Sequence, residues 1–337
     1  MPKKGISMDD LICALALKKI KGLQNKHIIF LLNAFGKPCE IFNADKSDLI
    51  KSGLKMEYIK ILINSRIIRT AFFDAIKEIE EASKNGVKII TFNSPLYPAN
   101  LRNIKNKPLI LYYKGFLKEN LKSAAAVIGQ RKPPEYAVKL AEDITAQLCS
   151  YGYAIISGLA LGIDSAAHNA ALKKNGYTAA YIGSGLLAPV YPPENRDLYN
   201  EILLNGGAVV SELPLYESIS SKNLVARDRL QSGSGLGTFA LSSPVKSGTM
   251  KTCRFSVKQK RPVFIPEYNM NLMNSYDNEG LKSLYGELGI FGIKLNKDFS
   301  ADIGAAVEEM KNIHNKLYAD KFDEDDLLVQ PGLFDFI

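Results

Sequence analysis

The spacing of apolar residues divides the chain into stretches of different character. Between residues 8 and 83, Leu11, Ile12, Leu15, Ile20, Ile28, Ile29, Leu31, Leu32 and Phe35 recur in steps of three and four, the period of amphipathic helices. Gly22, Gly36 and Gly53 punctuate the pattern, and a helical domain over 1–83 is predicted. Val87–Phe92 and Leu109–Tyr113 read as strands around a Pro- and Asn-containing turn at 93–98. From Ala124 short apolar runs alternate with helix-length segments. The runs are 124–128, 154–156, 178–182, 208–210, 236–241 and 263–265; the helical stretches lie near 135–150, 165–174, 194–204 and 247–259. Strands that are apolar along their whole length and alternate with helices predict a parallel sheet covered on both faces. The fold class is therefore α/β, with a Rossmann-like sheet domain over 84–268 whose core starts at about 124. Residues 269–337 read as a C-terminal extension: a helical period over 301–318, then an acidic stretch at 320–326.

The turns after the strands carry the candidate chemistry. They are Gly129-Gln130-Arg131-Lys132, Ser157-Gly158 running on to Gly162 and Asp164, Gly183-Ser184-Gly185, and Ser211-Glu212. In a parallel sheet all of these lie at the carboxyl edge, where such folds bind ligands. Small residues there let backbone N–H groups approach an anion, and the following helices add the positive ends of their dipoles. With Arg131 and Lys132 the turns predict an anion cradle. A second basic run follows: Lys246, Lys251, Arg254, Lys258, Lys260 and Arg261, with no acidic residue before Glu267 and with Arg227 and Arg229 upstream. The turn Ile20–Gln24 has Gln24 and Asn25 where a phosphate-binding helical hairpin wants a second glycine, so it is read as structural or as protein-binding only.

Charge and composition narrow the classes. Lys plus Arg number 43 and Asp plus Glu 35, a net charge of +8, which permits a polyanionic partner. No apolar run approaches the roughly 18 residues of a membrane span, and the start lacks a secretory signal; a soluble cytoplasmic protein is expected. The cysteines, Cys13, Cys39, Cys149 and Cys253, form no CxxC pair, and the only histidines are His27, His168 and His314. The cysteines are read as four idle thiols, with no metal site. Gly183–Ala188 fits GxGxxA, but Pro189-Val-Tyr-Pro-Pro193 follows in place of a helix, so no dinucleotide cofactor is expected. Asp164 and His168 stand four apart at a helix start; they are read as a cap and a packed side chain, not as an acid–base pair. No catalytic residue and no cofactor is assigned.

Several separate segments carry a resemblance. They are Leu96-Tyr-Pro-Ala-Asn-Leu-Arg102, Val127-Ile-Gly-Gln-Arg-Lys132, Ser157-Gly-Leu-Ala-Leu-Gly-Ile-Asp-Ser-Ala-Ala-His168, Ile182-Gly-Ser-Gly-Leu186, Tyr191-Pro-Pro-Glu-Asn-Arg196, Val210-Ser-Glu-Leu-Pro214, Arg227-Asp-Arg229 and Lys246-Ser-Gly-Thr-Met250. In this order, from about residue 10 to 268, the chain resembles the DNA-processing protein A (DprA/Smf) family. The resemblance implies a helical SAM-like N-terminal domain and an extended Rossmann-like domain. It further implies a homodimeric, non-enzymatic protein that binds single-stranded DNA, protects it and loads a RecA-type recombinase on it during natural transformation. By position it places Gly129 and Arg131 in a phosphate-contacting turn, Asn195 and Arg196 in a basic rim, Arg227 and Arg229 as paired arginines, and Lys246-Ser247-Gly248 in a further DNA-binding loop at the same edge. Four departures stand out: Gln130 for Ser or Thr, Leu161 for Arg, Asp228 for Asn, and Ser242-Ser243 where an acid is usual. The tail segment Gln330-Pro-Gly-Leu333-Phe334 resembles the peptide by which replication proteins dock on a sliding clamp.

The expected mechanism is electrostatic. Arg131, Lys132, Arg196, Arg227 and Arg229 neutralise successive phosphates while Gly129, Gly158 and Gly183–Gly185 let backbone donors approach; sequence preference should be small, because phosphate contacts position without specifying. Two rival readings use the same fold. One is a phosphoribohydrolase-like enzyme built on Gly233-Ser-Gly-Leu-Gly-Thr238 with Glu212 as its acid, and the other is a nucleotide-sensing adaptor.

Overall fold

The computed structural model describes residues 8–319. They form two compact units, one of residues 8–97 and 106–112, the other of 98–105 and 113–319.

The first unit holds helices α1 (Met8–Lys19), α2 (Asn25–Phe35), α3 (Pro38–Asn43), α4 (Lys46–Lys51), α5 (Met56–Leu62) and α6 (Ser65–Lys84), then strand β1 (Lys88–Thr91) and the start of β2 (Ile110–Gly115). The predicted apolar stripes meet in its core, where Leu15, Leu17, Ile28, Leu31 and Ile59 are fully buried. Asp45 and Asn64 cap α4 and α6, their side chains accepting from Asp48 N–H at 2.8 Å and from Arg66 N–H at 3.1 Å. Glu78 of α6 is buried, accepts from the Tyr112 hydroxyl at 2.8 Å, and pairs with Lys19. One reading from the sequence is corrected here. Cys13 and Cys39 form a disulfide, with Cα atoms 5.3 Å apart; only Cys149 and Cys253 are free. Helix packing brings the pair together across 26 residues of chain, which spacing alone does not reveal.

The second unit is the sheet. Its elements are β3 (Ala124–Ile128), α7 (Glu135–Ser150), β4 (Ala154–Ser157), α8 (Ile163–Lys173), β5 (Thr178–Tyr181), α9 (Arg196–Leu204), β6 (Ala208–Ser211), α10 (Ser221–Ser234), β7 (Thr238–Ala240), α11 (Gly248–Lys258), β8 (Val263–Pro266), α12 (Met270–Met273), α13 (Glu279–Lys282), β9 (Ile290–Leu295), β10 (Ala301–Asp302) and α14 (Gly304–Tyr318). The order is β6-β5-β4-β3-β7-β8-β9-β10. β3 through β9 are parallel and β10 is antiparallel to β9. Every residue of β3 is buried, as a strand covered on both faces requires. Strand order reverses at β3, which has β4 on one side (Ala124 opposite Ala154) and β7 on the other (Ala126 opposite Thr238). That reversal is the topological switch point at which open α/β sheets bind ligands.

The sheet does not close at residue 268. β9 pairs in parallel with β8, Val263 opposite Ile290. Met273, Leu281, Ile293, Val307 and Met310 share one core with Val127 and Phe239. Residues 269–318 thus complete the sheet unit. Their strand is masked in the sequence because Gly292 and Lys294 interrupt its apolar run. The acidic stretch and the clamp-like residues Gln330, Leu333 and Phe334 lie outside the described residues. Among the described residues no helix is long and apolar enough to cross a membrane.

Candidate nucleic-acid interface

A pocket of about 480 Å³ opens at the switch point. One wall is the turn after β3, Gly129 to Lys132, and the opposite wall is the start of α11, with Ser247, Gly248, Lys251 and Thr252. Its floor comes from α10, through Leu224, Arg227, Asp228 and Gln231, and from Asp164 at the start of α8. A smaller pocket of about 90 Å³ adjoins it, sharing Arg131, Ala160, Leu224 and Arg227, and is lined by Leu161, Ile182, Gly183 and Tyr191. Leu161, where the resemblance leads one to expect an arginine, makes that side apolar.

The cations separate into two kinds. Arg131, Lys132 and Lys251 are exposed at the rim. Arg227 is only 6% exposed. Its Nη1 donates to Gly158 O at 2.7 Å and also to Tyr181 O, tying α10 to the ends of β4 and β5. Arg229 points elsewhere: its guanidinium grips both oxygens of Glu212 at 2.6 Å, and it does not line the pocket. Of the two expected phosphate-facing arginines, Arg227 lines the pocket and Arg229 does not. Such forked pairs hold the geometry of a docked helix, whereas Arg227, tied to the two carbonyls through Nη1 alone, still lines the pocket.

The predicted glycines also serve packing more than ligand access. Gly162 has φ +78°, a conformation glycine adopts freely, and a Cβ there would lie 2.5 Å from Gln130 O. Gly158 lies over Arg227 and Gln231, with no room for a side chain, and its N–H donates to Asp164 Oδ2 at 3.1 Å. Ser184 is buried, its carbonyl accepting from Ser211, and Gly185 N–H donates to Glu217 O at 2.8 Å. Asn195 is buried and bonds Leu159 O and Ser165 Oγ, at 2.8 and 2.9 Å. Of the predicted set, the structure gathers Gly129, Gln130, Arg131, Lys132, Arg227, Ser247 and Gly248 at the main pocket, with Gly158 and Gly183 beside it in the smaller one. Ser184, Gly185, Asn195, Arg196, Arg229 and Lys246 line neither pocket; Arg196 and Lys246 are exposed.

Two departures compensate each other. Gln130 Nε2 donates to Ser242 Oγ at 2.7 Å and to Asp277 Oδ1 at 2.9 Å. The acid absent near position 242 is thus supplied from after α12. Gln130 braces the turn that carries Arg131.

The floor is acidic. Burial raises the carboxyl of Asp164, although Arg227 and the N–H groups of Ala160 and Gly158 oppose the rise. Burial likewise pushes Asp228 up to about 6; Arg227, whose Nε lies 3.4 Å away, opposes the rise, and Asp164 adds to it. His168 is fully buried against Thr178 Oγ1 at 2.7 Å, and burial drops it to about 3. It does not line the pocket, in keeping with its reading as a packed side chain. Among the described residues no cluster of His, Cys, Asp and Glu is arranged to hold a metal.

Helix α10, which builds the floor, has no counterpart in the apolar pattern. Its residues, Ser-Lys-Asn-Leu-Val-Ala-Arg-Asp-Arg-Leu-Gln-Ser-Gly-Ser, are mostly polar. Ser220 is the one local signal, its hydroxyl accepting from Asn223 N–H at 3.1 Å as an N-cap.

Comparison with known proteins agrees with this geometry. The family described as DNA recombination-mediator protein A matches residues 88–287. The Synechocystis protein Smf is 33% identical over 190 residues, 55% of this chain and 47% of that protein, so the chain spans about half the relative's length. The DNA processing protein DprA of Streptococcus pneumoniae is 34% identical over 197 residues, 57% of this chain and 69% of that protein. The crystal structure of the pneumococcal protein superposes with a TM-score of 0.59 at 26% identity, covering 80% of this chain and 95% of that one. DNA processing protein A of Helicobacter pylori, whose single-stranded DNA binding mode has been described structurally, gives 0.52 at 26% identity, covering 66% and 93%. With a switch-point pocket, an α/β sheet and a family match over most of that sheet, this chain belongs to the DNA recombination-mediator protein A (DprA/Smf) family.

Proposed function

We propose that the chain binds single-stranded DNA along its sugar–phosphate backbone at the rim of the switch-point pocket. It acts there as a non-enzymatic recombination mediator. The observation that carries this reading is the convergence of Arg131, Lys132 and Lys251, all exposed, on one pocket mouth at the carboxyl edge of the sheet. The N-terminus of α11 opens on the same mouth and adds a favourable dipole. A flexible single strand can bend its phosphates into such a mouth, whereas a duplex holds them on a stiff cylinder. Protection of the strand, transfer to a RecA-type recombinase, action as a homodimer and a cytoplasmic setting are the remaining parts of the proposal. They rest on the family.

The enzyme reading has less support. Glu212 is held by Arg229 through both oxygens. In the glycine-rich segment, Gly233 packs on Leu101 and Ile104, and Gly237 packs on Phe264. The test is a titration of labelled single- and double-stranded oligonucleotides at two salt concentrations, with Arg131→Ala alongside. Preferential single-strand binding that weakens with salt and with the substitution is expected. Equal affinity of variant and wild type overturns the assigned site, and release of free base from a nucleotide panel would favour the enzyme.

A further inference from the structure

The rim and the floor of the pocket differ in sign, and the difference bears on what enters. A phosphate lowered to the floor would meet Asp228 and Asp164. A neutral group carrying N–H donors would not be repelled. Asp164 is already engaged by the N–H groups of Gly158 and Ala160, and Asp228 Oδ1 faces Arg227 Nε at 3.4 Å, which leaves Asp228 Oδ2 as the acceptor. That oxygen faces the opposite wall, 3.8 Å from where a Cβ on Gly248 would stand. Gln231 is one turn further along α10 and shares the pocket-facing side with Asp228. It is only 2% exposed, and its Nε2, which lies beside Gly158 where the two pockets adjoin, has no hydrogen-bond partner. Buried amide donors are almost always satisfied, so an unpartnered one in a pocket lining marks a place for an acceptor.

We propose that the pocket floor is a subsite for one unpaired guanine, whose N1–H and N2–H₂ donate to the Asp228 carboxylate and whose O6 accepts from Gln231 Nε2. The 5′ or 3′ phosphate stays at the rim on Arg131, Lys132 and Lys251. The proposal rests on the rim being a phosphate site. Extruded bases are commonly read along this edge, and guanine alone presents two adjacent N–H groups to a carboxylate there. Adenine and cytosine offer a single amino group beside a ring nitrogen acceptor. Thymine offers one N–H between two carbonyls, which a carboxylate repels. The phosphate contacts carry no sequence information, and the floor adds it at one position. The ionised form of Asp228, which predominates above about pH 6, is the one the contact needs. The same chemistry is found in a nucleotide within a strand and in a free guanine mononucleotide.

The test measures, at pH 8 and fixed salt, the affinity of the full chain for short oligothymidylates carrying one central dG, dA, dC or dT. In parallel it measures dGMP, dAMP, dCMP and dTMP. A bidentate base contact discriminates by roughly 5- to 150-fold; the dG oligonucleotide is expected to bind about tenfold tighter than the dT one. Asp228→Asn should reduce that ratio below about twofold while raising affinity for the dT strand, and Gln231→Met, which keeps the shape without the donor, should reduce it severalfold. Equal affinities of the wild type for all four oligonucleotides and all four mononucleotides overturn the guanine subsite and leave strand binding standing. Selective binding of dGMP with no binding of any oligonucleotide keeps the subsite and overturns the strand reading. If Asp228→Asn lowers dG and dT affinities by the same factor, the floor does not read the base and the proposal fails.

Discussion

Asp228→Asn should stabilise the folded chain at neutral pH and leave it nearly unchanged in acid. The carboxyl is 6% exposed on the pocket floor. Burial and Asp164 work against its charge, and Arg227 and Lys251 only partly offset them, so it titrates near 6 in place of 3.8. An ionised group displaced that far costs the fold about 3 kcal/mol relative to the unfolded chain. The folded pKa of this acid lies above the unfolded one. The stability linked to it is therefore present below about pH 4 and is lost as pH rises through 6. Asparagine has the shape of the neutral acid and removes the cost. The expected gain is about 3 kcal/mol at pH 8 and about 0.5 kcal/mol at pH 4. Urea unfolding of both proteins at the two pH values measures it, followed by tyrosine fluorescence, which suits a chain with 16 tyrosines and no tryptophan. A variant no more stable than wild type at pH 8, or a gain equal at both pH values, would refute the assignment of a buried, charged Asp228.

Other substitutions probe other parts of the account. Gly162→Ala forces an L-residue to φ +78° and drives a methyl onto Gln130 O; a loss of about 2 kcal/mol or more, measured by urea unfolding, is expected together with weakened DNA binding through the displaced Arg131 turn. Arg229→Ala strips Glu212 of its forked partner. It should cost about 2–4 kcal/mol of stability while the salt dependence of DNA affinity stays that of wild type, which separates a helix-docking role from a phosphate contact. Glu78→Ala leaves the buried Tyr112 hydroxyl and Lys19 without their acceptor, and a loss of about 2–4 kcal/mol in unfolding free energy is expected.

The parts of this fold legible in sequence are those governed by apolar periodicity. β3 and α7 lie at 124–128 and 135–150 as predicted, because a strand buried on both faces and a helix with one apolar face each leave a clear pattern. α10 left none. It is enclosed among the sheet ends and α11, and its buried side sets the single apolar Leu230 among Arg227, Asp228, Gln231, Ser232 and Ser234, so neither an apolar stripe nor a polar face marks it. The pocket floor was hidden with it. The rim was readable, because Arg131 and Lys132 follow directly from a strand end. Charge alone could not tell these cations from Arg227 and Arg229, whose partners at Gly158, Tyr181 and Glu212 are 69, 46 and 17 residues away. The disulfide between Cys13 and Cys39 was invisible for the same reason: its partners are set by packing at a distance.

The salt dependence of single-stranded DNA affinity tests the central claim most directly, measured by fluorescence anisotropy on the wild type and on a triple variant, Arg131→Ala with Lys132→Ala and Lys251→Ala. Each phosphate neutralised on a single strand contributes about 0.7 to the fall of log K with log salt. Three rim cations therefore predict a slope near −2 for the wild type, shrinking toward zero in the variant. A variant with the wild-type slope, or wild-type binding indifferent to salt, would contradict a phosphate-holding rim at the sheet's switch point.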